Sequence, residues 1–301
     1  MTEPVLVVGA TGFLGGQVVD ALQARGRSVR ALVRPGSDAG KLEAKGVEIA
    51  RGDMLDPDSL VAAMTGIDAV VSTAAGYTRR DKRAEEIDTI GQANLAQAAS
   101  RVGVRRFVLT SILTSDQTPN VPHFWHKKLA EDELERLGVP FVALRPGAFL
   151  DQLAQFSDPF EKKRFLWFGT KSVPLTFVLT SDLAGYLAAA VDADVGAGER
   201  IDIGWDRPVN MQEVADITSA LVGDTVKVRA VPSGVLRAVG VVAGRFVPGF
   251  KDLGAMFDWF ETGKYVADTS RQAQVFGTVP TAEDAITRFA EGLGHEVRNR
   301  P

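Results

Sequence analysis

The chain has 301 residues, 24% of them charged and 45% hydrophobic, with a formal net charge of −4. That length buries a large core in one large domain or two smaller ones, and the balance of charge gives no electrostatic reason to expect nucleic acid or an anionic membrane as partner. The absence of cysteine excludes disulfides, thiolate nucleophiles and Cys-ligated zinc, and is in keeping with a reducing compartment.

The first residues, Met-Thr-Glu-Pro, run straight into an apolar stretch and leave no room for a signal peptide before it. The apolar stretch 235–247 is too short to span a membrane and is interrupted by Arg237 and Arg245. We therefore expect a cytoplasmic chain. The sequence has no internal repeat and no low-complexity linker.

Residues 5–8 are four consecutive apolar side chains, and they read as a buried strand that stops at Gly9. Residues 17–25 read as a helix with Val18, Val19, Ala21 and Leu22 on its apolar side. Between them lie Gly9, Ala10, Thr11, Gly12, Phe13, Leu14 and Gly15, with glycines spaced GxxGxxG. Strand, glycine turn and helix make the setting in which such a fingerprint carries meaning: the backbone can approach a pyrophosphate, and the helix N-terminus offers it free N–H groups. The bland alternative is an ordinary strand-to-helix turn.

Further strands are expected over 29–33, 47–50, 69–73, 106–110 and 141–145, with helices over 58–64, 85–102 and 125–137. Regular alternation with β-branched strands predicts an α/β fold with a doubly wound parallel sheet, and the glycine fingerprint on its first strand makes the expected domain a Rossmann-type NAD(P)-binding one. Ligands on such sheets lie beyond the carboxyl ends of the strands, so the residues following each strand carry the reading.

After the second strand stands Arg34, where a site built for NAD has an acidic residue; an arginine fork suits a 2′-phosphate, so NADP(H) is expected over NAD(H), the alternative being a solvated surface arginine. After the third come Gly52, Asp53 and Met54. Asp53 and Met54 read as flanks for an adenine, or Asp53 joins Asp56 in capping the helix near Pro57; for Asp56 the cap is the preferred reading. After the fourth come Thr73, Ala74 and Ala75, small enough for a cofactor to lie against, and after the fifth the hydroxyls of Thr110 and Ser111.

Before the sixth strand the sequence runs His123-Phe-Trp-His-Lys127-Lys-Leu-Ala-Glu131. Together with the glycine fingerprint, Arg34, Gly52-Asp53-Met54, Gly103-Val104 and the later Leu144-Arg145-Pro146-Gly147, it resembles the atypical short-chain dehydrogenase/reductase superfamily, and within it the NmrA-like, isoflavone-reductase-like branch. The resemblance covers residues 4–205 and extends more loosely over 256–260 and 281–289. It implies a Tyr-x-x-x-Lys pair on the helix, with the lysine on the nicotinamide ribose and the tyrosine as acid, and it adds Pro146 and Gly147 to the cofactor side. Lys127 matches the lysine, but His123 stands where the tyrosine belongs. An imidazole titrates near neutrality and can pass a proton at pH 7, so His123, or a water held by Ser111, is the candidate donor; a partly exposed histidine at a helix entry is the alternative. No metal is expected at His123 and His126, because no carboxylate completes a ligand set.

Beyond residue 149, Phe156, Phe160, Phe165, Trp167 and Phe168 read either as the lining of an apolar substrate pocket or as the packing of a second lobe. A strand is expected over 173–179, a helix over 183–191, a strand over 200–203, and then helix 211–221, strand 226–231 and helix 233–245. Met256, Phe257, Trp259 and Phe260 read as lobe core in preference to substrate contacts. The expected division is a dinucleotide domain over 1–149 plus about 172–205 and a smaller C-terminal α+β substrate lobe over about 150–171 and 206–301. The whole predicts an NADPH-dependent oxidoreductase, monomer or homodimer, acting on a small apolar or aromatic substrate, and the resemblance implies a carbonyl, a conjugated alkene or a benzylic ether. The alternative is a non-catalytic NAD(P)-sensing regulator of the NmrA type, which the missing tyrosine favours. An epimerase or lyase is weaker, since no second acid/base stands out after the fourth strand.

Overall fold

The computed structural model describes residues 3–77, 84–155, 158–232, 249–277 and 279–297. The helix expected over 233–245 and the side chain of Phe156 lie outside the described residues. The chain divides into two compact units, residues 1–116, 123–145 and 181–201 in the first and 117–122, 146–180 and 202–301 in the second. The first unit thus takes back only 181–201 after the sixth strand, where about 172–205 was expected.

The centre of the first unit is a seven-stranded sheet: β1 (Val5–Val8), β2 (Val29–Val33), β3 (Glu48–Arg51), β4 (Ala69–Ser72), β5 (Arg106–Thr110), β6 (Phe141–Pro146) and a late strand, Glu199–Ile203, which crosses the unit boundary. From edge to edge the order is late strand, β6, β5, β4, β1, β2, β3. Val5 pairs with Val29 on one side and with Ala69 on the other, both in parallel. The chain therefore winds outward from β1 to β3, returns to β4 and winds the other way, which puts the topological switch point between β1 and β4.

Both central strands are buried along their whole length, as expected of strands covered on two faces. Side chains of one parity, among them Leu6, Val8, Val70, Phe107, Leu109, Phe141 and Ala143, pack with Leu60 and Met64 of α3 (Pro57–Met64), Leu95 and Ala99 of α5 (Gln92–Val102) and Ala130 and Leu134 of α6 (Pro122–Arg136). On the other side α1 (Phe13–Ala24) packs on β1 and β2, burying Val18, Val19 and Leu22.

Helix α1 begins four residues before the expected start at 17. Gly12 is its extended N-cap, and Gly15 and Gly16 belong to its first turns. Glycine is a poor helix former, by about 1 kcal/mol against alanine, so propensity put the start after the glycines; the close packing described below requires them inside it. The helix expected over 85–102 contains an irregularity: a short turn α4 (Ala84–Glu86) is followed by a π-helical segment, Ile87–Gly91, before α5.

In the second unit, β8 (Arg164–Phe168) pairs in parallel with β11 (Lys227–Val231), and Ala148–Phe149 pairs with Phe177–Val178. The strand expected over 173–179 is reduced to its last part, since Pro174 interrupts the ladder. The aromatic segment is itself a strand. Phe165 and Trp167 point inward and Arg164 and Leu166 outward, and Phe160, Phe165 and Trp167 are all buried. Phe160 meets Phe165 and Phe289, and Trp167 meets Phe177 and Phe257. These residues build the core of the unit and not an open pocket. Phe257 and Phe260 join that core.

Candidate functional site

At the end of β1 the chain turns on Gly9, whose φ of +88° favours glycine. A Cβ there would stand 2.7 Å from the Thr73 hydroxyl and 3.0 Å from the Ala74 backbone nitrogen, and a Cβ on Gly15 would run into the Gly9 carbonyl. The amide of Gly12 donates to Gly9 O at 2.9 Å, which closes the turn and starts α1. Gly12 has no side chain to cap the helix, so the first-turn N–H groups of α1 are left to a ligand, and the helix dipole favours an anion there. Thr73 braces the switch point, its amide and its hydroxyl both donating to Val8 O, at 2.9 and 3.0 Å.

An open cleft of about 580 Å³, solvent space at its mouth included, runs from this turn across the ends of β1, β2, β3 and β4. Val8, Gly9 and Thr11 line it from the end of β1, Leu32, Arg34 and Ser37 from β2 and the turn after it, Gly52, Asp53 and Met54 from the turn after β3, Ala74 and Ala75 from the segment after β4, and Ile87 from the π-helical segment. The turn after β2 is held by Arg51, whose guanidinium donates to Ser37 O at 2.7 Å and Arg34 O at 3.3 Å. Asp53 accepts the Leu55 amide at 2.9 Å on one oxygen while lining the cleft, so the turn role and the cleft role coexist. Asp56 is the N-cap of α3, accepting the Ser59 amide at 3.4 Å.

The uncapped glycine turn, and a cleft lined by one carboxylate and an arginine, fit a phosphorylated dinucleotide. Of the residues expected on the cofactor side, Gly9, Thr11, Arg34, Asp53, Met54, Ala74 and Ala75 line this cleft. Gly12, Phe13, Leu14 and Gly15 form the turn and helix start beside it, and Thr73 braces the turn from β4. Pro146 and Gly147 belong to the second unit, where the Tyr265 hydroxyl donates to Pro146 O at 3.3 Å and Gly147 donates to Ile203 O at 2.9 Å.

Beyond Ala75 the site contains residues that the spacing of motifs gave no reason to name. The π-helical segment turns Asp88 inward, where it is 6% exposed and accepts the amides of Gly76 and Tyr77 at 2.6 and 3.0 Å. Gln92 donates to Ala74 O at 3.1 Å, and Asn94 to Met54 O at 2.9 Å. One helical stretch thus carries three buried polar side chains that fix the loops after β3 and β4. From the other side Lys127 of α6, 7% exposed, donates through Nζ to Ala74 O at 3.1 Å. Burial pushes its ammonium down from the usual lysine range, and the Asp88 carboxylate pushes the other way. His123, one turn earlier on α6, is buried, and its ring lies stacked on Tyr77 with 3.9 Å between centroids and 7° between planes. His126 on the same helix is half-buried.

Ser111 follows β5, and its hydroxyl donates to Glu131 at 2.5 Å. Glu131 is fully buried and is paired with Arg145 at 2.6 Å and Arg200 at 2.8 Å; Arg145 also reaches Asp116 at 2.8 Å. Burial opposes the Arg145 charge, but Glu131 and Asp116 outweigh it and raise its pKa. The Ser111 proton is thereby committed to Glu131, while its lone pairs can still accept from a water. The neighbouring Thr110 hydroxyl is buried with no partner among the described residues. Among those residues no group of three or more His, Asp or Glu side chains is arranged to hold a metal ion, and no helix is long and apolar enough to cross a membrane.

Comparison with known proteins finds both assembly factors and reductases among the relatives. The chain is 29% identical over 234 residues to the photosystem II assembly factor Ycf39 of Synechocystis sp., covering 77% of this chain and 72% of that one. It is 27% identical over 230 residues to the NAD(P)H azoreductase of Xenophilus azovorans, covering 75% and 77%. Among solved structures, the Citrobacter sp. triphenylmethane reductase complexed with NADP(H) superposes with a TM-score of 0.77 at 21% identity, over 95% of this chain and 99% of that one. That likeness agrees with the Rossmann-type α/β architecture read above. The family model described as NmrA-like matches residues 1–282, in agreement with the resemblance carried by the glycine fingerprint and the Lys127 helix, and the chain belongs to the NmrA-like family.

Proposed function

We propose that the chain is an NADPH-dependent reductase that transfers a hydride to a small apolar or aromatic organic substrate, a carbonyl, conjugated alkene or benzylic ether. The observation that carries this reading is the single cleft that joins an uncapped glycine helix start to Arg34 across the switch point of the sheet. In it the amides from Phe13 to Gly15 take the pyrophosphate, with Thr11 beside them. Arg34 and Ser37 take the 2′-phosphate, Asp53 and Met54 flank the adenine, and Ala74 and Ala75 give a flat wall. In this reading Lys127, held by its bond to Ala74 O, serves the nicotinamide ribose. Bound NADPH supplies the hydride. His123 is the proton donor we assign, with a water accepted by Ser111 as the other source. The names of the azoreductase and triphenylmethane reductase relatives support reduction of a conjugated aromatic substrate.

A second reading has its own support: a protein that binds NADP(H) without turning it over. His123 replaces the expected tyrosine, and several relatives, from Synechocystis sp. to Guillardia theta, are named as photosystem II assembly factors. Calorimetric titration of NADPH, NADP+, NADH and NAD+ comes first, followed by a screen for NADPH oxidation with aromatic ketones, enones, benzylic ethers, azo dyes and triphenylmethane dyes. NADPH preference with consumption of any acceptor supports the reductase. Tight binding of both redox forms with no consumption across the panel overturns it in favour of the second reading.

A further inference from the structure

The segment 74–77 is gripped by opposite charges from two elements. Asp88 reaches it from the π-helical segment and takes the Gly76 and Tyr77 amides, while Lys127 reaches it from α6 and donates to Ala74 O. We propose that Asp88 is the counter-ion of Lys127, a positioning residue that holds the 74–77 backbone and keeps the neighbouring ammonium charged. Both groups are almost wholly enclosed. A buried ammonium without an anion loses its proton in preference to staying charged. The two backbone N–H groups on Asp88 orient the carboxylate but are neutral, so its charge remains for Lys127 to meet.

The other groups around Lys127 do not replace it. Gln92 is a neutral donor to the same Ala74 carbonyl. His123 lies one turn before Lys127 and is stacked on Tyr77. Glu131 lies one turn after it and is committed to Arg145 and Arg200. Among the described residues, Asp88 is the carboxylate left. This inference leans on the reductase reading only for its consequence in turnover; the pairing itself is a property of the protein without cofactor.

The test is a pH titration of the chain labelled with 13C-lysine, the Lys127 resonance being identified by its loss in Lys127→Met. Asp88→Asn is expected to move the Lys127 midpoint to lower pH by about one unit or more. Asp88→Glu should restore much of that shift. Gln92→Leu cuts the second anchor of Ala74 with no change of charge and should leave the midpoint in place. The pH at which NADPH affinity declines, read by calorimetry, should fall with the midpoint in Asp88→Asn. An unchanged midpoint in folded Asp88→Asn overturns the proposal. If that variant does not fold, the unsubstituted protein decides: the 13C resonance of the Asp88 carboxyl must inflect at the Lys127 midpoint, and its indifference overturns the pairing. Should no acceptor be reduced while the shift persists, the reductase reading fails and the pairing stands.

Discussion

Glu131 has no exposed surface, and its charge is matched by Arg145 and Arg200 with the Ser111 hydroxyl as a third partner. A buried ion cluster of this kind adds little over apolar packing, but removing one member leaves the others unmatched. Glu131→Gln is therefore expected to lower stability by about 3–5 kcal/mol, read as a shifted urea midpoint; a loss within experimental error would show that the arginines relax to water. Gly15 is a residue of the opposite kind, important for what it lacks. A Cβ there has no place beside the Gly9 carbonyl, so Gly15→Ala should open the turn and cut NADPH affinity at least tenfold, a factor worth about 1.4 kcal/mol. Calorimetry that finds unaltered affinity would remove the turn from the binding site. Arg34 lines the same cleft. Hydrogen bonds to a charged group are worth about 1.5–3 kcal/mol, so Arg34→Ala should weaken NADPH by about 10- to 150-fold and NADH far less. Equal losses for the two would place the 2′-phosphate elsewhere.

At the scale of elements, regular helices and strands follow their own local chemistry. Helix α8 (Met211–Val222) has Asn210 at its N-cap, accepting the Glu213 amide at 3.0 Å, and ends on Gly223 at a φ of 70°. Asn210→Ala should cost about 1 kcal/mol, measurable by thermal unfolding, and a Ser replacement should recover most of it. The stretch from Ala84 to Val102 behaves differently. A π turn adds a residue to one turn of the helix and rotates everything before it. Here it turns Asp88 toward the 74–77 loop, and it sets Gly91 where a Cβ would press on Met54 at 3.1 Å. The apolar periodicity of 92–102 is visible in the sequence; the extra residue is not, because one such turn leaves the pattern on either side intact.

Across the whole molecule, the amino ends of the sheet strands are tied by charge where the carboxyl ends form the cleft. Asp68, just before β4, pairs with Arg105 at 2.6 Å and with Arg27, and both arginines also reach Asp192. The Arg105 guanidinium, opposed by partial burial and aided by Arg27, holds the Asp68 carboxyl down at about 2. An unfolded aspartate titrates near about 3.9, so this group binds fewer protons folded than unfolded between those values. Its stabilisation is complete above about pH 4 and is lost as pH falls toward about 2. The melting temperature should drop over that window, and Asp68→Asn should flatten this part of the profile while lowering stability at neutral pH. A drop of the same size in the variant would assign the acid sensitivity to other carboxylates.

The sequence by itself determined the order and type of the sheet elements, the glycine turn, Arg34 and Lys127. Each of these is written in a local pattern: runs of buried β-branched residues, glycines at fixed spacing, or a side chain a set distance along a helix. Tertiary structure alone decided which distant residues meet. Asp88 and Lys127 both hold the 74–77 segment, Glu131 gathers Arg145 and Arg200, and Tyr77 lies on His123, because the sheet brings the segment after β4, α6, β6 and the late strand side by side. Those residues stand 39, 14, 69 and 46 positions apart, the differences between their own numbers. No periodicity connects residues so separated. The aromatic run at 160–168 shows the same limit from the other side: its composition suits a pocket or a core equally, and only its pairing with β11 made it a core strand.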